Sequence, residues 1–446
     1  MPEALKVALI GVKPDGVPAV HLRSIAKLQE EGLVKLVAVA EKNTDNEAIA
    51  KLVGSKVIGG VHVYRDYREM FNKETIDIVT IATPHQFHWP MARYALEKGT
   101  SSEGKGVNVF CEKPPAVLIQ DANEFLAIAN RSGRQVAVNC MYTASESARE
   151  LRQLLKQGVI GNIESIVGVG KWCRTNEYYT GRPWAGKKMV GTDYVLDGAM
   201  LNQFPHLFRQ CLFFTGKDEL KVDNVLAELY RAHNPAILEM EGTGCLRTNV
   251  SGVNVLMYFT TSYDHDDALT VEVRGTKGTA KWTCDIFGPE KQTKYEINFK
   301  DDRPQRESIW RNENWGYMCL GLFRNYVDLV RGKTKENYSP LEPAVLHVSV
   351  VNGAYISSSS DEPAIQQIGD RYIEYRTEAV GASGTGQTAK GKETKVLIKN
   401  IGETMDYAAQ SCVMFSAISY APWARASKRQ VNTSTLAYFD PEGLLL

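Results

Sequence analysis

The sequence contains no CxxC pair: its eight cysteines, from Cys111 to Cys412, are scattered along 446 residues. That argues against a zinc or disulfide framework and leads to an expectation of reduced, mostly buried thiols and a cytoplasmic protein. An excess of either charge is also lacking. Lys+Arg and Asp+Glu each number 52, and zero net charge argues against nucleic acid or an anionic membrane as the main partner. No apolar run approaches membrane-spanning length, and the run after Lys6 in MPEALKVALIG is too short for the apolar core of a signal peptide. There is no GxSxG elbow, which removes a Ser-His-Asp hydrolase of the elbow type. No His, Cys, Asp or Glu cluster has metal-ligand spacing, so no metal is expected. What is present, 43% apolar and 23% charged residues, is the composition of a globular protein long enough for two or three domains.

The most informative stretch is Val107–Pro115, VNVFCEKPP. It reads as a buried strand that two prolines must end, since proline cannot donate to a sheet ladder. Glu112 and Lys113 then stand at the carboxyl end of that strand, the edge at which an open parallel sheet binds ligands. Alone, the pair is equally a charged loop end.

The surrounding pattern is strand and helix in alternation. Val7–Ile10 runs into a glycine turn, Gly11-Val12-Lys13-Pro14-Asp15-Gly16, and a helical pattern through Val20, Ile25 and Leu28 follows. This is the context of a dinucleotide fingerprint, in which turn and helix-start amides hold a pyrophosphate. Gly11 and Gly16 have GxGxxG spacing, but Lys13 replaces the middle glycine. Strand Lys35–Ala40 ends at Glu41, where a carboxylate binds ribose hydroxyls and repels a 2′-phosphate, favouring NAD over NADP. Strand Ile76–Ile81 ends at Ala82-Thr83-Pro84-His85, and helix Ile119–Ser132 with strand Gln135–Val138 closes the unit. The alternation predicts an α/β fold whose N-terminal part, residues 1–140, is a doubly wound parallel sheet of Rossmann type.

Taken in order, Gly11…Gly16, Glu41, Ala82-Thr83-Pro84-His85-Gln86-Phe87-His88 and, above all, Glu112-Lys113-Pro114 resemble the Gfo/Idh/MocA family, mostly NAD(P)-dependent sugar and polyol oxidoreductases. The resemblance implies cofactor contacts from Gly11, Val12, Lys13, Gly16, Glu41, Thr83, Pro84, His85, His88, Glu112 and Lys113. It also implies a second α+β domain, residues 141–360, with a large, mainly antiparallel sheet. Strand candidates there are Ile163–Lys171, Val225–Ala232, Val253–Ser262, Leu269–Arg274, Thr279–Cys284 and Lys294–Lys300, with a hairpin turn at Gly275–Gly278. Helices are expected at Gly316–Arg331 and Pro343–Ser357. Residues 361–446 form a C-terminal extension, with a mobile loop expected at Gly381–Lys392, a strand at Lys395–Lys399 and a helix at Thr404–Ser419.

The family's Asp-x-x-x-His is met at Asn202 and His206. The reading places both on one face of a helix from Gly198 to Phe214. By resemblance His206 is the proton acceptor. Asn202, where the family has Asp, can orient the ring but cannot stabilise an imidazolium. Asp197 is a helix N-cap or a group facing the substrate. The aromatic and basic stretch WCRTNEYYTGRPWAGKK supplies Arg174, Tyr178, Tyr179, Arg182, Trp184 and Lys187 as substrate-binding candidates beside Lys113, Asp197, Asn202 and His206. Lys113 would stabilise charge on the reacting hydroxyl.

Three functions follow. The first is an NAD-dependent oxidoreductase acting on a secondary hydroxyl of a sugar, glycoside or polyol. The second is a redox-neutral NAD-dependent glycosidase, which oxidises, eliminates, hydrates and reduces, with Tyr178 or Tyr179 handling the C2 proton. The third is a non-catalytic nucleotide-binding protein. A homo-dimer or homo-tetramer is expected by resemblance alone.

Overall fold

The computed structural model describes residues 3–42, 45–56, 60–359, 363–379, 391–442 and 444. The chain divides into two compact units, Met1–Ala144 with Trp315–Val345, and Ser145–Asn314 with Leu346–Leu446.

The first unit is built on six strands: β1 (Leu5–Ile10), β2 (Val34–Ala40), β3 (His62–Tyr64), β4 (Ile78–Ile81), β5 (Asn108–Cys111) and β6 (Val136–Val138). They lie in the order β3-β2-β1-β4-β5-β6, and every pairing is parallel. Parallel strands need crossovers. Helices Gly16–Glu30, Asn46–Gly54, Tyr67–Lys73, His88–Lys98 and Ile119–Ser132 supply them in turn. With helices on both faces, segments such as IVTI and NVFC are buried at every residue. The strand order reverses between β1 and β4, so the carboxyl ends of these two strands flank the binding crevice of such a sheet. Helix Trp315–Val330 belongs to this unit too. Its Phe323 and Tyr326 rings lie 5.1 and 5.4 Å from Phe110, and Arg324 forks onto Glu31 at 2.5 and 2.8 Å.

The second unit carries the larger sheet. Its strands are β7 (Ile163–Lys171), β8 (Val222–Arg231), β9 (Thr243–Val250), β10 (Val253–Thr260), β11 (Leu269–Gly275), β12 (Gly278–Asp285), β13 (Gln292–Phe299) and β14 (Arg306–Trp310). The order is β14-β13-β12-β11-β7-β10-β9-β8, extended by Gln366–Gln367. Pairing is antiparallel except for β7 with β10 and β8 with Gln366–Gln367. The turn expected at Gly275–Gly278 joins β11 to β12. Strand β9 was not expected. Its sequence, TGCLRTNV, has little of the β-branched alternation that marks a strand, and its place comes from ladders with β8 and β10 on either side.

Two expected helices are corrected. The helix bearing His206 spans Pro205–Phe214 and does not begin near Gly198. Pro205 sits at its first position, where a missing N–H costs nothing, whereas inside a helix its ring would clash with the preceding turn. Residues 199–203 form turns, so Asn202 is not on the helix. In the extension, the helix spans Ile401–Ser411, not Thr404–Ser419. Cys412 is left-handed at φ 55°, and Phe415–Ala417 forms a separate short 3-10 turn. The sheet explains the stop. Arg274 donates to the carbonyls of Ala409 and Gln410, Arg247 to that of Cys412, and Tyr258 to that of Val413, so acceptors that a longer helix would use internally are already taken.

The extension is part of the second unit's core. Ile368, Ile373, Val396, Ile398, Met405, Phe415, Ile418 and Trp423 pack with Val167, Tyr230, Cys245, Leu256 and Tyr258 of the sheet. The strand expected at Lys395–Lys399 is Lys392–Ile398, paired with Ile373–Ala379. Apart from Gly391 and Lys392, the loop expected at Gly381–Lys392 lies outside the described residues.

Candidate active site

In the first unit, the strand ends bring the expected cofactor residues together. Gly11 ends β1 with φ 88°. A Cβ there would lie 2.5 Å from the Ala82 carbonyl oxygen at the end of β4, so only glycine lets these two strand ends approach so closely. Val12 donates its N–H to Glu41 Oε2 at 3.0 Å, which fixes the acid at the end of β2 against the turn. Helix Gly16–Glu30 starts with no side-chain cap bond from Asp15 and no acid in its first turn. Its leading amides thus suit an anion. Lys13 and Gly16 are exposed, and Thr83 and Pro84 are half-buried. These residues fit a dinucleotide: a close-approach glycine, uncapped helix amides and a carboxylate on the neighbouring strand.

Glu112 and His88 have supporting positions. Glu112 is 5% exposed, and its Oε1 lies 2.8 Å from His21 Nε2 and 2.5 Å from the Asn139 amide nitrogen. Its Oε2 accepts the Lys113 N–H at 3.2 Å. Burial pushes its pKa up, but His21, the Lys113 charge and Asn139 outweigh burial and hold it at about 2. His88 lies between two carbonyls, with Nδ1 2.7 Å from the Pro114 oxygen and Nε2 2.7 Å from the Thr83 oxygen. Burial drives its pKa down to about 4 against the pull of those acceptors. Neutral at pH 7, His88 carries one N–H and donates it to one of these carbonyls while its other nitrogen faces the second, so it packs the Thr83 segment against the Lys113–Pro114 segment. His85, 5% exposed, sits in the short turn between Pro84 and His88. Lys113 itself is half-buried at the end of β5. The role of His21 was not legible in the sequence, because its partner is ninety-one positions away.

In the second unit, His206 is 7% exposed at the second position of its helix, and Asn202 is half-buried in the preceding turn, its N–H bonded to the Gly198 carbonyl at 3.0 Å. Asp197 is fully buried, and its Oδ2 accepts the Gly186 N–H at 2.6 Å, so it caps a loop and not a helix. The aromatic–basic stretch is knitted internally. Arg174 pairs with half-buried Asp266 at 2.8 Å and lies over the Trp172 and Tyr178 rings at 5.0 and 5.4 Å. Arg182 lies over Tyr178 at 4.6 Å. Lys187 pairs with Glu239 at 3.1 Å. The Tyr179 hydroxyl bonds Thr261 at 3.1 Å, while Trp184 is half-buried. A residue missed in the sequence is Gln203, 5% exposed, whose amide donates to the Tyr178 hydroxyl at 3.3 Å. Burial, with the Asp197 charge, raises the Tyr178 pKa, and burial likewise raises that of Tyr179. Among the described residues no group of three or more His, Cys, Asp or Glu could hold a metal ion, and no helix is long and apolar enough to cross a membrane.

A sheet of this topology, with this edge, defines a dinucleotide-binding protein, and comparison with known proteins extends that. Residues 5–140 match the family model described as "Oxidoreductase family, NAD-binding Rossmann fold", and residues 148–281 match the "GFO/IDH/MocA C-terminal domain". The chain belongs to the Gfo/Idh/MocA family of oxidoreductases, and NAD is the cofactor of its first domain. It is 32% identical over 108 residues to the oxidoreductase YfiI of Bacillus subtilis (strain 168), covering 23% of this chain and 26% of that one. It is 28% identical over 131 residues to the D-glucoside 3-dehydrogenase of Escherichia coli (strain K12), covering 29% and 34%. The matches thus span only a quarter to a third of these relatives' lengths. Among solved structures, the WlbA dehydrogenase of Bordetella pertussis, in complex with NADH and UDP-GlcNAcA, is 19% identical with a TM-score of 0.62, covering 80% of this chain and 97% of that one. An inositol dehydrogenase homolog from Azotobacter vinelandii, complexed with NAD+, is 16% identical with a TM-score of 0.65, covering 81% and 97%. These two likenesses show the fold.

Proposed function

We propose that this NAD-binding oxidoreductase acts on a secondary hydroxyl of a sugar, glycoside or polyol. The observation that carries the reading is the edge of the first sheet. There Lys113 stands at the end of β5, its own N–H held by Glu112 and the following proline's carbonyl by His88. A cation fixed at that edge can hydrogen-bond a substrate hydroxyl and stabilise the charge it gains as its proton leaves. In this reading His206 takes that proton, Asn202 orients the substrate or the ring, and Tyr178, Gln203 and Arg182 are the polar groups for a sugar ring. NAD, when bound, accepts the hydride. A related enzyme that acts on D-glucosides and a structural neighbour described as an inositol dehydrogenase homolog support the substrate class.

The redox-neutral glycosidase is the second reading. It needs a group that takes the C2 proton, and burial raises the pKa of both the Tyr178 and Tyr179 hydroxyls, which makes the phenolate that would take it harder to reach. That favours the simple dehydrogenase.

The test is NADH absorbance with the purified chain, NAD and a panel of sugars, inositols and aryl glycosides. NADH formation at saturating NAD should fall by roughly 10²–10⁴ in Lys113→Ala. Aglycone release without NADH accumulation would replace this reading with the glycosidase, and an undiminished rate in Lys113→Ala would remove the lysine from the chemistry.

A further inference from the structure

Beneath the turn that leads to His206 lies an acid with no part in the scheme above. Glu241, just before β9, is fully buried. Its Oε1 accepts the Met200 N–H at 3.0 Å, and its Oε2 accepts the Tyr355 hydroxyl at 2.8 Å. Its backbone carbonyl accepts the Ala199 N–H at 2.9 Å. Gly198 makes room for it, because a Cβ there would lie 2.1 Å from Oε2. From helix Leu341–Ser358, which also carries Tyr355, His347 Nε2 reaches the Met200 carbonyl at 3.0 Å. The residues between Gly198 and Pro205, Asn202 among them, are therefore anchored from below at Ala199 and Met200.

We propose that Glu241 is a positioning residue for His206 and Asn202, fixing the turn from which the His206 helix starts, and that its proton sets how firmly the turn is held. The proposal rests on the reading of His206 given above. As a carboxylate, Glu241 receives two hydrogen bonds, each strengthened by its charge. Once protonated, it must itself donate, so the arrangement with Tyr355 or Met200 has to change. The titratable groups facing it are Tyr355, from helix Leu341–Ser358, and Asp197, fully buried in the segment entering the turn. Burial raises the Glu241 pKa, the bonds from Met200 and Tyr355 oppose that, and the Asp197 charge adds to it, leaving it at about 7.

Two readouts test this on the full chain. With selective ¹⁵N-methionine labelling, the Met200 amide, assigned by its loss in Met200→Leu, should shift with pH around a midpoint near 7. That titration should vanish in Glu241→Gln. The pH profile of kcat for NADH formation should bend at the same pH in the unmodified protein and lose that bend in Glu241→Gln, with the Kd for NAD unchanged. A Met200 amide that stays flat across neutral pH in the unmodified protein, or one that titrates equally in Glu241→Gln, overturns the proposal. Absence of NADH formation with every substrate would count against the dehydrogenase reading alone, and the amide titration would still decide the place of Glu241.

Discussion

Strands Ile78–Ile81 and Asn108–Cys111 of the first sheet are buried at every residue, whereas Leu269–Gly275 in the second sheet alternates buried with half-buried. Within that second sheet, however, Val253–Thr260 is buried at all but one position. Continuous burial has a different cause in each unit. Crossover helices cover both faces of the parallel sheet, as its connectivity requires. In the second sheet Ile368, Ile373, Val396, Ile398, Met405, Phe415, Ile418 and Trp423 lie against β7, β8, β9 and β10, while β11, β12 and β13 keep the alternation of a sheet covered on one side. An apolar strand therefore shows that something covers it, but not which part of the chain does so.

Removing the cover should have the largest effect. Trp423 packs on Tyr230 and Phe415 at ring distances of 5.0 and 5.6 Å. Trp423→Ala should cost about 3–5 kcal/mol, read by denaturant unfolding, while a nucleotide titration stays unchanged. Loss of NAD binding in that variant would break the separation between the two covers. Next is the first sheet's edge. Gly11→Ala puts a methyl against the Ala82 carbonyl at a backbone angle that disfavours side chains. It should cost roughly 1–3 kcal/mol and weaken NAD binding at least about tenfold, which at 1.4 kcal/mol per decade lies within that range.

The smallest effects are those of pH, and here the units should differ in sign. Glu112 is held at about 2, below its ordinary 4.5. Its stabilisation is full above 4.5 and is lost as pH falls toward 2. Glu228 lies under the extension, 2% exposed, accepting from the Ser416 N–H at 3.0 Å, the Ser416 hydroxyl and the Tyr230 hydroxyl. Burial raises its pKa despite those bonds. Between 4.5 and that raised value the unfolded chain has already lost its proton and the folded one has not, so stability falls as pH rises. Glu112→Gln should flatten the acid limb of a stability–pH curve, and Glu228→Gln the limb above 4.5. Both slopes moving in one direction would contradict the assignment.

Much of the first unit was legible in the sequence because a parallel sheet buries whole segments and gathers ligand residues at one edge. Val107–Pro115 therefore disclosed a strand, its end and its lysine together. In the second unit the segments that alternate, such as Leu269–Arg274, were also legible. Strand Thr243–Val250 was not, because neighbouring ladders define it more than its own composition does. The turn before His206 has the four-residue spacing of a helix, but Pro205 is accommodated only at a helix start and so moves the boundary past Asn202. Glu241, His21 and Gln203 could not be found by any local pattern, since each acts on a segment distant in sequence.

The bond from Val12 to Glu41 has a practical consequence for cofactor engineering. Replacing an acid at the end of the second strand with a small or basic residue is the obvious way to admit a 2′-phosphate. Here the same carboxylate also receives an amide from the glycine turn. Such a replacement would remove the acceptor of the Val12 amide together with the acid, and so loosen the glycine turn in the same step. A working NADP variant of this chain will need a second change that gives the Val12 amide a new acceptor.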